Sequence, residues 1–305
     1  MISKGKKIKL RYGENPNQKA YIINNSRNSI FNFQISGKEI SYNNIIDIDS
    51  GLRCLSEFYE PTSIIIKHTN PCGVASAVNI EKAFVKSYQS DSKSAFGGVI
   101  LLNRKVSLNL AKIINNKFFE IVVATDFERK ALKVLEKKRK LILLKIPKYT
   151  KKTKSYKSTI FGDLFQTEDL VTINKSFIDL VSTKKATNKF VEDLIFSLKV
   201  VKHLKSNAVV LSQNKQTVGL GHGQTNRVDA LVTALKNMNI YFKKNSFVCA
   251  SDGFFPFTDS ISLLNKNGCC TIAQPGGSIN DNKIILFANK KNIPLYFTKN
   301  RLFKH

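Results

Sequence analysis

The sequence has no apolar run approaching the roughly 18 residues of a membrane-spanning helix, and its basic N-terminus lacks the apolar segment of a signal peptide. It contains no CxxC pair, and its five cysteines show no pairing pattern, which indicates free thiols and gives a zinc site no support. RNA-binding aromatic signatures, zinc fingers and basic zippers are also missing. These absences predict a soluble, cytoplasmic protein without a metal or a membrane partner.

Acidic residues are few: 22 Asp and Glu stand against 49 Lys and Arg, a formal net charge of +27. Such a balance suits nucleic acid, a membrane surface or anionic small substrates. Lys, Asn and Ile are common together, however, which indicates a drift in composition spread over all exposed faces. Basic runs at 137–140 and 151–152 fall at a predicted helix end and in a loop. We therefore expect solvated faces, and nucleic acid is the less favoured partner.

Strand and helix signals alternate along the 305 residues, and 42% hydrophobic content is enough for a full core. The interval 145–185 interrupts this pattern with a Lys- and Thr-rich stretch and a hairpin signal near Phe161, and it is interpreted as a linker or an edge element. The alternation predicts an α/β fold of two lobes with largely parallel sheets. We place the first lobe at 1–185 and the second at 186–305, with C-terminal strands able to return to the first.

One stretch, 64–73, combines a short apolar run with chemically active side chains. Ile64–Ile66 predicts a buried strand, and Asn70-Pro71 resembles a helix start, with Asn as N-cap and Pro at the first helical position. Lys67 and His68 would then share a strand-to-helix turn beyond the carboxyl end of a strand, where open α/β sheets usually hold ligands.

A helix N-terminus and a neighbouring ammonium would both disfavour a cationic imidazole, so His68 is a candidate base. The same surroundings favour Lys67 as a proton donor. Taken alone, a Lys-His pair is more often a solvated lysine beside a hydrogen-bonded core histidine, because perturbed groups mark function only statistically.

Further clusters follow in a distinctive order. The set LRYGENPNQ, SYNN, KHTNPCGVA, SAFGG, KSNAVV, GLGHGQTNR, SDGFFPFTD and QPGGSI, closing with RLFKH, resembles the transformylase part of the AICAR transformylase/IMP cyclohydrolase family. The resemblance runs from about Leu10 to His305, and several of the motifs are specific to that family.

The resemblance implies formyl transfer from the co-substrate 10-formyltetrahydrofolate to the 5-amino group of AICAR, giving FAICAR in purine biosynthesis. By motif position, His68 would be the base, Lys67 the acid, and Asn207 the residue that polarises the formyl oxygen. The other implied substrate-binding residues are Arg11, Tyr12, Asn44, Gly97, Arg227, Phe257, Asp259, Arg301 and His305.

The implied fold is a pair of cytidine-deaminase-like α/β lobes in a homodimer with active sites at the subunit interface. Comparison with zinc deaminases offers a rival, because His68-Thr69-Asn70-Pro71-Cys72 faintly resembles their H-x-E and P-C-x-x-C signature. Asn70 stands where the deaminase glutamate would be and Ala75 where the second cysteine would be, so the zinc hydrolase interpretation fails on both residues.

Several positions depart from the family pattern, namely Asn17, Thr125, His222, Asn226 and Thr258. The family's N-terminal cyclohydrolase domain has no counterpart, so we expect no IMP cyclohydrolase activity. A separate IMP cyclohydrolase, loss of that step and a fragmentary chain stay open as explanations. The alternative function is a degenerate paralogue that keeps the fold and binds nucleotide or RNA without catalysis.

Overall fold

The computed structural model describes residues 5–24, 29–147, 149, 154–242 and 246–305; the basic run at 151–152 lies outside these ranges. Within them, none of the helices is long and apolar enough to cross a membrane. The described α-helices are α1 Tyr42–Leu55, α2 Ile80–Ser90, α3 Leu108–Asn115, α4 Arg129–Leu135, α5 Asn188–Val201, α6 Arg227–Tyr241, α7 Thr258–Lys266 and α8 Asp281–Lys290.

The strands are short, and most of those in the central sheet are buried on both faces. Two of the first three precede residue 30, where no strand was predicted. The described strands are β1 Lys6–Lys9, β2 Tyr21–Asn24, β3 Gln34–Ser36, β4 Thr62–Lys67, β5 Asn70–Ser76, β6 Val99–Leu102, β7 Ile121–Ala124, β8 Ile142–Lys145, β9 Lys154–Thr159, β10 Gly162–Thr167, β11 Ile178–Leu180, β12 Val209–Gln213, β13 Gln216–Gly221, β14 Phe247–Ser251, β15 Cys269–Pro275 and β16 Leu295–Thr298.

Twelve of these strands form one continuous sheet in the order β11-β16-β15-β14-β12-β13-β5-β4-β6-β7-β8-β3. The α/β prediction is confirmed. The prediction of largely parallel sheets is wrong, because only β6-β7-β8 and β14-β15-β16 pair in parallel and the other neighbours are antiparallel. The hairpin expected near Phe161 is present as β9-β10, a separate two-stranded sheet.

The sheet order reads identically outward from its centre. On each side a hairpin is followed by one antiparallel and two parallel neighbours and by an antiparallel edge strand. Helix α5 begins 146 residues after α1 (188 − 42), and both helices have 14 residues. The two halves are therefore structural repeats. The lobe boundary at 185/186 stays a prediction, and β11, which precedes it, pairs with β16.

The core lies in two layers on either side of the sheet. Side chains alternate along β4, so Ile64 and Ile66 belong to the apolar cluster beneath α1 and α5, whereas Ile65 faces α2, α3 and α4. A third cluster lies beneath α6, α7 and α8. One face thus has a core shared by both halves, and the opposite face has a separate core for each half.

The two halves join through a narrow seam between β5 and β13. Only Ala75 and Gln216 form a ladder pair there. The seam is extended by hydrogen bonds from the Ser76 N–H to the Lys215 carbonyl (2.9 Å) and from the Val74 N–H to Thr217 Oγ1 (3.0 Å). Beyond Thr217 the two strands share no further ladder pair. A space therefore opens between them at the end of the sheet where β5 begins and β13 ends.

Two glycines, Gly73 and Gly219, allow helices α2 and α6 to pack closely on this seam. A Cβ at Gly73 would lie 2.0 Å from the Ser87 carbonyl oxygen of α2, and one at the equivalent Gly219 would lie 2.2 Å from the Ala234 carbonyl oxygen of α6. We expect Gly73→Ala to lower the free energy of unfolding by about 1–3 kcal/mol, because backbone must move to admit the methyl group. Urea denaturation measures the change.

The control is Val78→Ala, at a side chain that is 81% exposed. It should change stability by no more than about 0.5 kcal/mol. An unchanged urea midpoint for Gly73→Ala would show that α2 is not held against β5 as described.

Candidate active site

Lys67 and His68 lie on a β-hairpin turn and not on the strand-to-helix turn predicted from the sequence. Strand β4 runs to Lys67, and β5 begins at Asn70, with which Lys67 pairs. Asn70 is therefore no N-cap, and Pro71 lies in a strand beside a register shift, a place where proline is tolerated. The helix-dipole argument for a neutral His68 does not apply here.

The turn has an unusual backbone conformation for its residues. His68 has φ +52° and Thr69 has φ +66°, the pattern of a two-residue hairpin loop that normally carries Asn, Asp or Gly. Holding two such residues in the left-handed region costs on the order of 1 kcal/mol each. Strain of this kind persists only where neighbouring groups fix the backbone.

Side chains of α1 fix this turn. Asp47 Oδ1 accepts the Thr69 N–H at 2.6 Å, and Ser50 Oγ donates to the Thr69 carbonyl at 2.6 Å. Asn70 Nδ2 donates to the His68 carbonyl at 2.9 Å. Both peptide groups of Thr69 are thus bound, which leaves the exposed His68 side chain on a rigid support.

Lys67 reaches the small-residue loop that contains Gly97. Its Nζ donates to the Phe96 carbonyl at 2.9 Å, and Gly97 follows at φ +74°. Phe96 and Phe118 form an aromatic pair with ring centroids 4.9 Å apart, and both rings are more than half exposed. The predicted substrate residue Gly97 therefore lies next to the predicted acid.

A cavity of about 420 Å³ opens where β5 and β13 separate, and Lys67 and His68 line it together with His222, Cys72 and Asp91. Burial lowers the pKa of His222, and the nearby Lys205 adds to the effect. Burial raises the pKa of the Cys72 thiol to about 12. Burial therefore favours the uncharged form of both groups.

Asn207 is held in a second cluster, at the start of β12. Its Nδ2 donates to the Gln224 carbonyl (2.9 Å) and the Thr225 carbonyl (3.2 Å), and its Oδ1 accepts from Arg227 Nη2 at 2.6 Å. Arg227 is buried and forms an ion pair with the fully buried Asp252. The arginine predicted to bind nucleotide therefore orients the amide of Asn207 in this structure.

The C-terminal segment closes this second cluster. The Leu302 N–H donates to the Asp252 carbonyl at 3.0 Å, and the Lys304 N–H donates to Ser206 Oγ at 3.1 Å. The Phe303 ring lies 4.8 Å from the Arg301 guanidinium and 5.8 Å from that of Arg227. His305 lines a different cavity, of about 540 Å³, beneath the β9-β10 hairpin.

The remaining predicted residues lie near the same end of the strands. Arg11 lies over the Tyr12 ring at 5.0 Å, and this loop meets α1 where Asn43 Nδ2 donates to the Glu14 carbonyl at 3.1 Å. Asn44 is buried and forms a capping box with Ser41 at the start of α1. The last two, on the turn into α7, are Phe257, which is 63% exposed, and Asp259.

Apart from His305, the predicted residues thus lie at or near one end of the strands, but they do not form a single cluster. Lys67 ends β4 and Asn207 precedes β12, with β5 and β13 between them. Three strand spacings of about 4.8 Å separate these positions by about 14 Å or more. The cavity that Lys67 and His68 line does not include Asn207 among its lining residues.

Sequence reasoning missed Asp47 and assigned no role to Asp252. Asp252 lay within a quoted motif, but nothing local shows that its partner is Arg227. Asp47 has a counterpart 146 residues later in Asp193 (193 − 47), which binds the second hairpin turn in the same way. The spacing between the two aspartates was the one signal in the sequence that could have identified Asp47. It was not recognised, because the sequences of the two halves have diverged.

The family model for the AICARFT/IMPCHase bienzyme matches residues 1–237 of this chain. A bifunctional purine biosynthesis protein PurH from Caldicellulosiruptor saccharolyticus is 46% identical over 97% of this chain and 59% of its own length. Proteins of the same name from Buchnera aphidicola subsp. Baizongia pistaciae and Listeria monocytogenes serotype 4b are 44% and 41% identical, over 98% and 100% of this chain.

The chain spans about three-fifths of the length of these relatives. A family match over more than half of the chain agrees with identities above 40% along nearly all of it. The chain therefore belongs to the AICARFT/IMPCHase bienzyme family.

Proposed function

We propose that this chain is an AICAR formyltransferase of purine biosynthesis, with 10-formyltetrahydrofolate as its co-substrate. The observation that carries the proposal is the placement of Lys67 and His68 on a strained, rigid turn, at the sheet edge that also holds Asn207 and the glycine and aromatic loops. Relatives named bifunctional purine biosynthesis proteins supply the pathway. Family membership alone covers two activities, and the site favours the formyl transfer.

The chemistry follows from the weak nucleophilicity of the AICAR amine, whose lone pair is conjugated with the imidazole ring. His68 takes a proton as the nitrogen attacks the formyl carbon. The Asn207 amide donates to the oxygen on which charge develops, giving up its longer bond, the one to Thr225. Lys67 protonates the folate nitrogen as its bond to the formyl carbon breaks, so one N–C bond replaces another.

The charge of the chain suits these ligands. The nucleotide phosphate and the folate glutamate tail are both anionic, and a protein with a formal net charge of +27 attracts them. Arg11 and Arg301 are exposed at this edge of the sheet and are the proposed contacts of the phosphate.

The distance between Lys67 and Asn207 adds a second element to the proposal. Because one chain separates them by about 14 Å or more, we infer a homodimer in which one protomer supplies Lys67 and His68 and its partner supplies Asn207. Two-fold symmetry then makes two equivalent sites at the interface.

Formyl transfer is tested by following tetrahydrofolate release from AICAR and 10-formyltetrahydrofolate. We expect turnover by the wild-type chain and a loss of about 10²–10⁴-fold in kcat for His68→Ala, the range that a general base contributes. Asn214→Ala is the matched control, because Asn214 occupies the equivalent position, φ +52°, in the second hairpin turn.

Asn214→Ala should keep kcat within about twofold, as a surface change away from the site does. A wild-type chain that binds AICAR without turnover would overturn the proposal and favour a degenerate paralogue. Equal turnover by wild type and His68→Ala would remove His68 from the mechanism.

The shared site is tested by mixing two inactive variants, His68→Ala and Asn207→Ala. Random pairing makes half of the dimers mixed, and each mixed dimer regains one intact site out of two, so about one quarter of wild-type activity should return. Activity is measured after co-expression, with each variant expressed alone as the control. No recovery in the mixture, despite mixed dimers on a native gel, would show that each site lies within one chain.

A further inference from the structure

Each half of the sheet holds its hairpin turn with the carboxylate of an aspartate at the same position of the preceding helix. Asp193 of α5 accepts the Asn214 N–H at 2.8 Å and the Lys215 N–H at 2.7 Å. Asp47 of α1 accepts the Thr69 N–H at 2.6 Å and also contacts the His68 N–H. Each aspartate is the sixth residue of its helix, so the contact is a repeated feature of the fold.

The residue carried by the turn differs between the halves. Asn214 is neutral and suits the left-handed region, whereas His68 is a titratable ring in a conformation that costs energy. In the first half, the charge on the His68 ring lies within electrostatic range of the Asp47 carboxylate. Asp47 thus has a titratable ring at its turn where Asp193 has the neutral Asn214. The charged Lys215 of the second turn pairs with Glu60 and Glu192.

We propose that Asp47 is a positioning residue for His68, which fixes the direction of the imidazole through the turn backbone and stabilises the imidazolium formed when His68 takes the amine proton. The role deepens the proposed formyl transfer and rests on it. A carboxylate held in place before the reaction favours the charged form of the base without reorganising.

Other charged groups around these two residues are few. Burial raises the pKa of Asp47, while the Thr69 N–H and the His68 charge lower it, and Glu120 from the segment before β7 raises it. On the cavity side, Lys67, Asp91 and His222 face His68. Lys67 opposes a charge on the imidazole, so a nearby carboxylate is needed to balance it.

The first test compares Asp47→Asn with Asp193→Asn. Both variants keep one amide oxygen for the turn N–H and lose the negative charge. For Asp47→Asn we expect kcat to fall about tenfold with KM for AICAR within about twofold, and the acid limb of the kcat/KM profile to move to lower pH by about half a unit.

Asp193→Asn should lower Tm about as much as Asp47→Asn does, since each carboxylate binds the backbone of its turn, yet leave kcat and the acid limb unchanged. If both variants shift the rate and the acid limb equally, or neither shifts them, Asp47 only supports the backbone and the proposal is wrong.

The second test does not depend on turnover. The Asp47 carboxyl is titrated by carbon NMR in the full chain and in His68→Gln, where loss of the ring charge should raise its pKa by about half a unit or more. The Asp193 carboxyl should not respond. A positive result here beside an inactive wild type would reject formyl transfer and keep the Asp47–His68 interaction, whereas an unchanged Asp47 titration rejects the interaction itself.

Asp47→Glu provides a further test in case the Asp47→Asn variant does not fold. It keeps the charge and moves it by one methylene group, so the acid limb should stay near its wild-type pH while kcat falls. An acid limb displaced as far as expected for Asp47→Asn, in a variant that retains the carboxylate, would contradict the electrostatic part of the role.

Discussion

The seam between β5 and β13 is the constraint on which the rest of the molecule depends. A single ladder pair, Ala75 with Gln216, and two flanking hydrogen bonds join two repeats into one twelve-stranded sheet. The seam pairs the two hairpins side by side, so the turn of one hairpin lies at the same end of the sheet as the open end of the other. Since the strands part beyond Thr217, the seam also creates the cavity that His68 lines. The seam therefore determines both the continuity of the sheet and the position of the candidate site.

Duplication explains how the same frame supports two hairpin turns that carry different residues. Asp47 and Asp193 bind equivalent turns, yet the first turn carries His68 and Thr69 and the second carries Asn214 and Lys215. Asparagine enters the left-handed region readily, whereas a β-branched threonine does not. The second turn holds one residue other than Gly, Asn or Asp in this region, Lys215 at φ +52°, whereas the first turn holds two, His68 and Thr69. The greater strain in the turn that bears the predicted base is what selection for function over stability would produce.

Local structure was largely predictable, and the pairing of distant elements was not. Local patterns predicted the strand at Ile64–Ile66, which lies in β4, and the hairpin near Phe161, which is β9-β10, because neighbouring residues determine both. The turn at His68 was mispredicted, since Asn70-Pro71 matches a helix start and proline is rarely found in a strand. Residue types marked the candidate site through motifs. Their separation could not be predicted, because it depends on the pairing of β5 with β13, two strands that are far apart in the chain.

Buried charge is the common means by which both parts of the site are held. Removing Arg227 and Asp252 from water costs several kcal/mol, and their attraction only roughly offsets this, so the pair contributes little to net stability. What it provides is direction, because a guanidinium fork fixes the plane of the Asn207 amide. Asp47 acts likewise on the His68 turn, at lower burial. These three charged side chains therefore serve chiefly for orientation, and the stability of the fold comes from the apolar clusters on the two faces of the sheet.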